Sequence, residues 1–213
     1  MLGCVCLGGG ILALVSKKKP GLHPRAGRVF AIALGLVFLA ILPNIIVKKN
    51  VFLFGLGWLA VYTCAEGWRA LLRFRGRLEP SPTGLDYLLN GLTVVFGLVL
   101  AGYGGWLYAT RQNPIGLVCV AFGGIGILLV HGTRKLWKAP PDPKGWLVHH
   151  ITMMTGGAFS AAFTAFAAAQ LSGHVGQFEW IVWVAPSVIM SGYVKREIKR
   201  RKLTETGDAN RSE

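Results

Sequence analysis

The sequence predicts an all-α, polytopic transmembrane bundle of seven spans. Three observations carry that prediction: an apolar composition, a series of long apolar runs, and a lopsided placement of Lys and Arg. Of the 213 residues, 53% are hydrophobic and 15% charged, and the mean hydropathy is +0.49. A soluble domain holds about 25% charged residues. This chain therefore cannot coat a globular surface with charge while hiding so much apolar material in one small core. The composition excludes a soluble enzyme, a secreted disulfide scaffold and a disordered chain.

A spanning helix needs about 20 mostly apolar residues. Such runs fall at about 1–15, 29–47, 51–72, 86–108, 114–132, 146–171 and 178–194. The connections are short and polar and leave no room for a soluble domain, so 1–194 reads as one bundle and 195–213 as a basic, then polar, tail. The first run is the shortest. Its apolar residues have no positive residue ahead of them and are followed by Lys17, Lys18 and Lys19, the pattern of an anchor with its N-terminus outside rather than of a signal peptide.

Alternate connections differ sharply in cations: one set holds 20 of the 23 Lys and Arg residues, the other only Lys48, Lys49 and Arg111. Positive residues are retained on the cytoplasmic side, which predicts an outside N-terminus and a cytoplasmic C-terminus. The net charge of +14 is thus a threading signal and not a nucleic-acid footprint. Lys199 to Lys202 form a juxtamembrane cluster suited to anionic lipid. Trp106, Tyr108, Trp180 and Trp183 near the outer ends, and Trp68, Trp137, Trp146 and Tyr193 near the inner ends, fit two interfacial belts. Pro80, Pro82, Pro140, Pro141 and Pro143 fall in the two longest inner loops, where a missing amide donor costs nothing.

Packing surfaces can also be read. In the sixth run, His150, Gly157, Ala161, Thr164 and Ala168 share a narrow stripe at 3.6 residues per turn, with Phe159, Phe163 and Phe166 opposite. Small residues let helices approach, so the His150 stripe is expected to face the bundle. Gly123, Gly124 and Gly126 offer a second narrow surface on the fifth run, and the fifth and sixth are expected to pack closely. Cys4, Cys6, Cys64 and Cys119 show no C-x-x-C spacing and read as small packing residues.

The ionisable residues within or beside the spans gather at one depth. His23 precedes the second run, Glu66 and Arg69 lie in the inner part of the third, and Asp86 opens the fourth. His131 closes the fifth, and His149 and His150 open the sixth. Equal depth lets them meet in a compact bundle. Glu66 lies about two turns inside its helix, where a carboxylate is costly and needs a partner. Arg69 at i+3 is the expected one, with a proton or cation site as the alternative. His131 and His150 are a candidate imidazole pair for haem iron or another transition metal, against the plainer role of hydrogen-bonded interfacial histidines. His149, turned about 100° from His150, is expected to face solvent or lipid. His23 reads as a cap or anchor of the second helix, or as a third ligand.

The run Lys19-Pro-Gly-Leu-His23-Pro-Arg-Ala-Gly27-Arg opens a series of short motifs. Ala65-Glu-Gly67-Trp-Arg69, Leu85-Asp86-Tyr, Phe122-Gly-Gly-Ile-Gly126, Trp146-Leu-Val-His-His150-Ile-Thr-Met-Met154 and Phe163-Thr-Ala-Phe166 follow in order. In order and spacing the series is similar to the bacterial multi-pass membrane family catalogued as domain of unknown function 2306, over nearly the whole chain. The resemblance implies a seven-helix or similar bundle in the bacterial cytoplasmic membrane, with no established reaction. It weights His23, Arg69, Asp86 and His150, with Glu66 a looser match. His131 stands where relatives carry an acidic residue, which speaks against a His131–His150 ligand pair as a family feature.

No G-x-x-x-x-G-K-[ST] loop, H-E-x-x-H helix or G-x-S-x-G turn is present, and no residue pattern argues for catalysis. Three expectations follow. One is a membrane protein whose inner polar cluster holds a haem or metal for electron transfer or sensing. Another is a small proton-linked transporter using Glu66, Asp86, Pro43-Asn44 and Pro186. The third is an accessory subunit or homo-oligomer that packs through its small-residue faces.

Overall fold

The computed structural model describes residues 1–17, 21–48, 50–171, 174 and 179–209. Lys18, Lys19, Lys49 and Arg211, which count toward the charge asymmetry, lie outside the described residues, as do the side chains of Trp180 and Lys202. The described elements are helical: α1 (Leu2–Val15), α2 (Leu22–Lys48), α3 (Val51–Phe74), α4 (Gly84–Arg111), α5 (Ile115–Lys138), α6 (Pro143–Ile151), a π-helical segment (Thr152–Phe159), α7 (Ser160–Leu171) and α8 (Glu179–Ala209). Helix α6, the π segment and α7 form one continuous rod.

Among the described residues, five stretches are long and apolar enough to cross a membrane: Leu22–Pro43, Val51–Phe74, Gly84–Arg111, Ile115–Lys138 and Pro143–Leu171. Leu2–Val15 is apolar but has 14 residues. At 1.5 Å per residue it falls well short of a hydrocarbon core about 30 Å thick. Helix α8 carries the last apolar run into the basic segment without a break. The outer faces present Ile32, Leu39, Leu98, Leu128, Val188 and Ile189, each 59–69% exposed, whereas Glu66, Asp86, Asn90 and Thr133 are fully buried. An apolar exterior around a polar interior is the arrangement lipid favours and water does not.

Local chemistry sets the helix starts. Asn50 caps α3 by accepting from Leu53 N at 2.9 Å, and Asp142 caps α6 by accepting from Gly145 N at 2.8 Å. Helix α2 begins at Leu22, seven residues ahead of the expected start, because Pro24 is tolerated in a first turn and the helix extends past its apolar stretch to carry Arg25 and Arg28. His23 is therefore part of α2 and does not precede it.

Glycines decide which helices pair. The glycine surface of α5 packs on α4 and not on the sixth rod, contrary to the sequence expectation. A β-carbon on Gly97 would lie 2.9 Å from the Gly123 carbonyl oxygen, and one on Gly123 would lie 2.5 Å from that of Gly97. The backbones are thus too close for any side chain. The sixth rod packs along α3 instead and meets α5 through the side chains of Thr133 and His149.

The π segment changes the phase of the sixth rod. Its wider turn rotates everything after Ile151 relative to an ideal 3.6-residue helix. Phe159, expected on the face away from the bundle, is buried, and its ring lies 6.2 Å from that of Phe30. Phe163 remains exposed, and Ala161, Thr164 and Ala168 face inward as expected. Cys6, Cys64 and Cys119 are buried free thiols, and Cys4 is an exposed one.

Gly123→Ala is expected to lower stability by about 1–3 kcal/mol through backbone overlap with α4. Gly124→Ala, which would meet nothing within 4 Å, is expected to leave it unchanged or slightly raised. Thermal unfolding of the two variants in one detergent checks the difference.

Candidate functional site

The polar cluster divides into two neighbouring sites at one end of the bundle. The first is a buried network between α3, α4, α5 and α6. Tyr62, Glu66, Arg69 and Arg73 recur at helical spacing along one face of α3, and all but the partly buried Arg69 are buried. Opposite them, Thr83-Gly-Leu-Asp86 forms the start of α4, where the Asp86 carboxylate accepts from Thr83 N at 2.6 Å and from the Thr83 hydroxyl at 2.9 Å. That is the reach-back of a capping box.

The cap holds the carboxylate where two arginines converge. Arg69 donates to Asp86 through both Nε and Nη2, the latter at 2.7 Å, and also to the Thr83 hydroxyl at 2.7 Å. Arg73 donates to Asp86 Oδ2 at 2.9 Å and to the Glu79 carbonyl at 3.1 Å, and its guanidinium lies 5.0 Å from the centre of the Trp146 ring. The expected Glu66–Arg69 pair does not form. Arg69 instead makes the two-point contact with a preorganised carboxylate, the stronger geometry for a guanidinium.

Glu66 is left with little. Its side chain is fully buried, and neither carboxylate oxygen has a hydrogen-bond partner among the described residues. His149 Nε2 lies 3.4 Å from Oε1, and Arg73 Nη1 lies 4.0 Å away. His149 is buried, contrary to its expected outward direction. Two consecutive residues of α6 straddle α3: His149 meets Glu66, and His150 Nδ1 lies 2.7 Å from the carbonyl of the next residue, Gly67. Thr133 Oγ1 stands 3.5 Å from His149 Nε2 and 3.5 Å from the Tyr62 hydroxyl, which donates to Asn90 Oδ1 at 3.3 Å.

The second site is a cleft of about 340 Å³ on the other side of α3, bounded by α1, α2, the sixth rod and α8. His23 and His150 both line it. Its floor is apolar, with Phe30, Leu72, Leu147, Ile151, Met154 and Phe159, and Arg28, Arg75, Arg77 and Arg201 line it as well. Among the described residues, Glu197 is the one acidic lining residue. It accepts from Arg200 and Arg201 at 3.2 and 3.1 Å. Burial pushes the Glu197 carboxyl up, and the guanidinium groups of Arg201 and Arg200 outweigh that and hold it below the ordinary glutamate range. His23 Nδ1 lies 2.9 Å from the Ala13 carbonyl oxygen. Carbonyl oxygens only accept, so His23 and His150 each carry the proton on Nδ1 in their neutral form, leaving Nε2 as the nitrogen with the lone pair.

His131 joins neither site. It is exposed on α5, while His150 is held against α3, so the expected His131–His150 pair is not formed. Among the described residues, no group of three His, Cys, Asp or Glu side chains is placed to hold a metal ion. Comparison with family models, with curated proteins and with solved structures finds no match to this chain.

Sequence reasoning missed Arg73, Thr83, Asn90, Thr133 and the inward direction of His149. Two of these left a legible signal: Arg73 repeats the Glu66 face two turns on, and Thr83-x-x-Asp86 is a capping-box pattern. Asp86→Asn is expected to cost about 3 kcal/mol, because it strips the carboxylate charge from two arginines. Glu66→Gln is expected to stay within about 1 kcal/mol of the parent, because no donor is lost. Unfolding midpoints in detergent compare the two.

Proposed function

We propose that this is a multi-span protein of the bacterial cytoplasmic membrane, with its C-terminus inside, that binds an anionic amphiphile in its inner-leaflet cleft. The helical architecture and its five long apolar helices support the membrane placement. Orientation rests on the cation asymmetry and follows the positive-inside rule. The resemblance to the domain of unknown function 2306 family is consistent with the same threading.

One observation carries the binding proposal: a single cleft combines an apolar floor with four arginines against one carboxylate. Its volume falls in the usual range for small-molecule sites. A phosphate or carboxylate head would meet Arg28, Arg75 and Arg77, and an apolar tail would lie along Phe30, Ile151 and Met154. By topology the cleft lies at the end of the bundle that the charge rule assigns to the cytoplasm, the level of lipid headgroups.

A second reading has its own observation. His23 and His150 line the same cleft with Nδ1–H groups fixed on carbonyls, the arrangement that prepares imidazole Nε2 to ligate a metal. Haem is itself an anionic amphiphile, and its propionates would meet the same arginines. This reading moves the expected haem partner of His150 from His131 to His23.

Two measurements on detergent-purified protein separate these readings. Native mass spectrometry is expected to find phosphatidylglycerol retained over phosphatidylcholine. At about 1 kcal/mol per cation, the Arg28→Gln/Arg75→Gln variant should lose roughly 30-fold in that preference. Equal retention of both lipids by the parent and the variant would remove the anionic-lipid proposal. For haem, an absorption spectrum taken oxidised and then reduced is expected to show a band that His150→Ala abolishes. A colourless protein leaves the lipid reading alone.

A further inference from the structure

We infer that Glu66 and His149 form a buried site that binds a single proton, separate from the cleft and independent of what the cleft holds. Two carboxylates share this interior and are treated very differently. Asp86 receives hydrogen bonds from Arg69, Arg73, the Thr83 amide and the Thr83 hydroxyl. Glu66, equally buried, receives none among the described residues. A buried carboxylate that receives no hydrogen bond is costly in its charged form, and taking up a proton relieves that cost.

The second member of the site is the nearest polar group. His149 Nε2 lies 3.4 Å from Glu66 Oε1, and the His149 side chain is 9% exposed, so it is also the member of the pair nearer solvent. A proton delivered from water can sit on Glu66 as an O–H directed at His149 Nε2, or on His149 as an N–H directed at the carboxylate. Either form supplies the hydrogen bond the pair lacks. The proton is held by the pair, and its binding constant belongs to both groups together.

The charged and titratable groups around the site come from every helix packed on it. Arg69, Arg73 and Tyr62 lie on α3, Asp86 on α4, Arg134 on α5 and His149 on α6. Arg69 and Arg73 are matched by Asp86 and an ionised Glu66, so the core network is neutral before proton uptake and carries one positive charge after it. The arginines stay engaged with Asp86, and Arg73 Nη1, 4.0 Å from Glu66, makes no hydrogen bond among the described residues. Arg73 thus lies at ion-pair distance from Glu66 without donating to it, and its hydrogen bonds go to Asp86 and the Glu79 carbonyl instead. The π segment starts two residues after His150, a position where such segments recur at functional sites.

Infrared difference spectroscopy of the full chain in lipid nanodiscs, titrated between about pH 4 and 9, reads the site directly. The expected result is a carbonyl band of a protonated carboxylic acid that appears as one cooperative step and is absent in Glu66→Gln. Its midpoint should move by at least the equivalent of a tenfold change in proton affinity in His149→Gln. Glu66→Asp keeps a carboxyl and should shift the band rather than remove it, which preserves the assignment if Glu66→Gln fails to fold. Glu197→Gln should leave the band untouched. A wild-type protein that shows neither this band nor a titrating imidazolium band lost in His149→Gln overturns the site. So does a band that survives Glu66→Gln, or a midpoint that His149→Gln leaves in place. None of these outcomes depends on lipid or haem in the cleft.

Discussion

The buried carboxylate of Asp86 organises this molecule. An aspartate in the first turn of α4 caps its own helix and receives two arginines from α3, so one side chain closes a helix end and ties two spans together. Cations cannot lie unpaired in an apolar interior without severe cost. Once Arg69 and Arg73 are committed to Asp86, the rotation of α3 about its own axis is set. That rotation aims Glu66 at α6 and presents the opposite flank of α3, with Leu72 and Arg75, to the cleft.

The same commitment explains why the two sites differ in character. On the α4 side of α3, donors exceed acceptors around Asp86, and the carboxylate is fully engaged. On the α6 side, Glu66 and His149 face each other with few hydrogen bonds, and on the far flank His150 and His23 border an open cleft. Consecutive residues do different work because α6 lies squarely over α3: Glu66 pairs with His149 and Gly67 with His150. Gly67 makes this possible, since a β-carbon there would lie 2.7 Å from Met154 Cγ.

Charge is distributed on two scales. Over the whole chain, the excess of Lys and Arg lies in alternate connections, a pattern that membrane insertion reads. Within the bundle, Arg69 and Arg73 are neutralised by aspartate and glutamate, whereas Arg28, Arg75 and Arg77 around the cleft are opposed, among the described residues, by a Glu197 already engaged with Arg200 and Arg201. The anionic amphiphile proposed for the cleft would offset that imbalance.

The sequence by itself determined the helical class and, among the described residues, the five helices long and apolar enough to cross a membrane, because hydropathy and helix length are properties of contiguous residues. It also placed Glu66 as the costly group and marked His23, Arg69, Asp86 and His150 as the residues to watch. Tertiary structure alone decided the partners. Arg69 reaches Asp86 rather than Glu66 because a capped carboxylate on another helix offers two-point geometry. His149 turns inward because α6 packs over α3, and His131 is left outside because glycine pairs draw α5 onto α4. The π segment moved Phe159 into the core by a phase change that 3.6-residue spacing does not anticipate. Depth is written along one helix, but facing is a relation between two, and only their packing settles it.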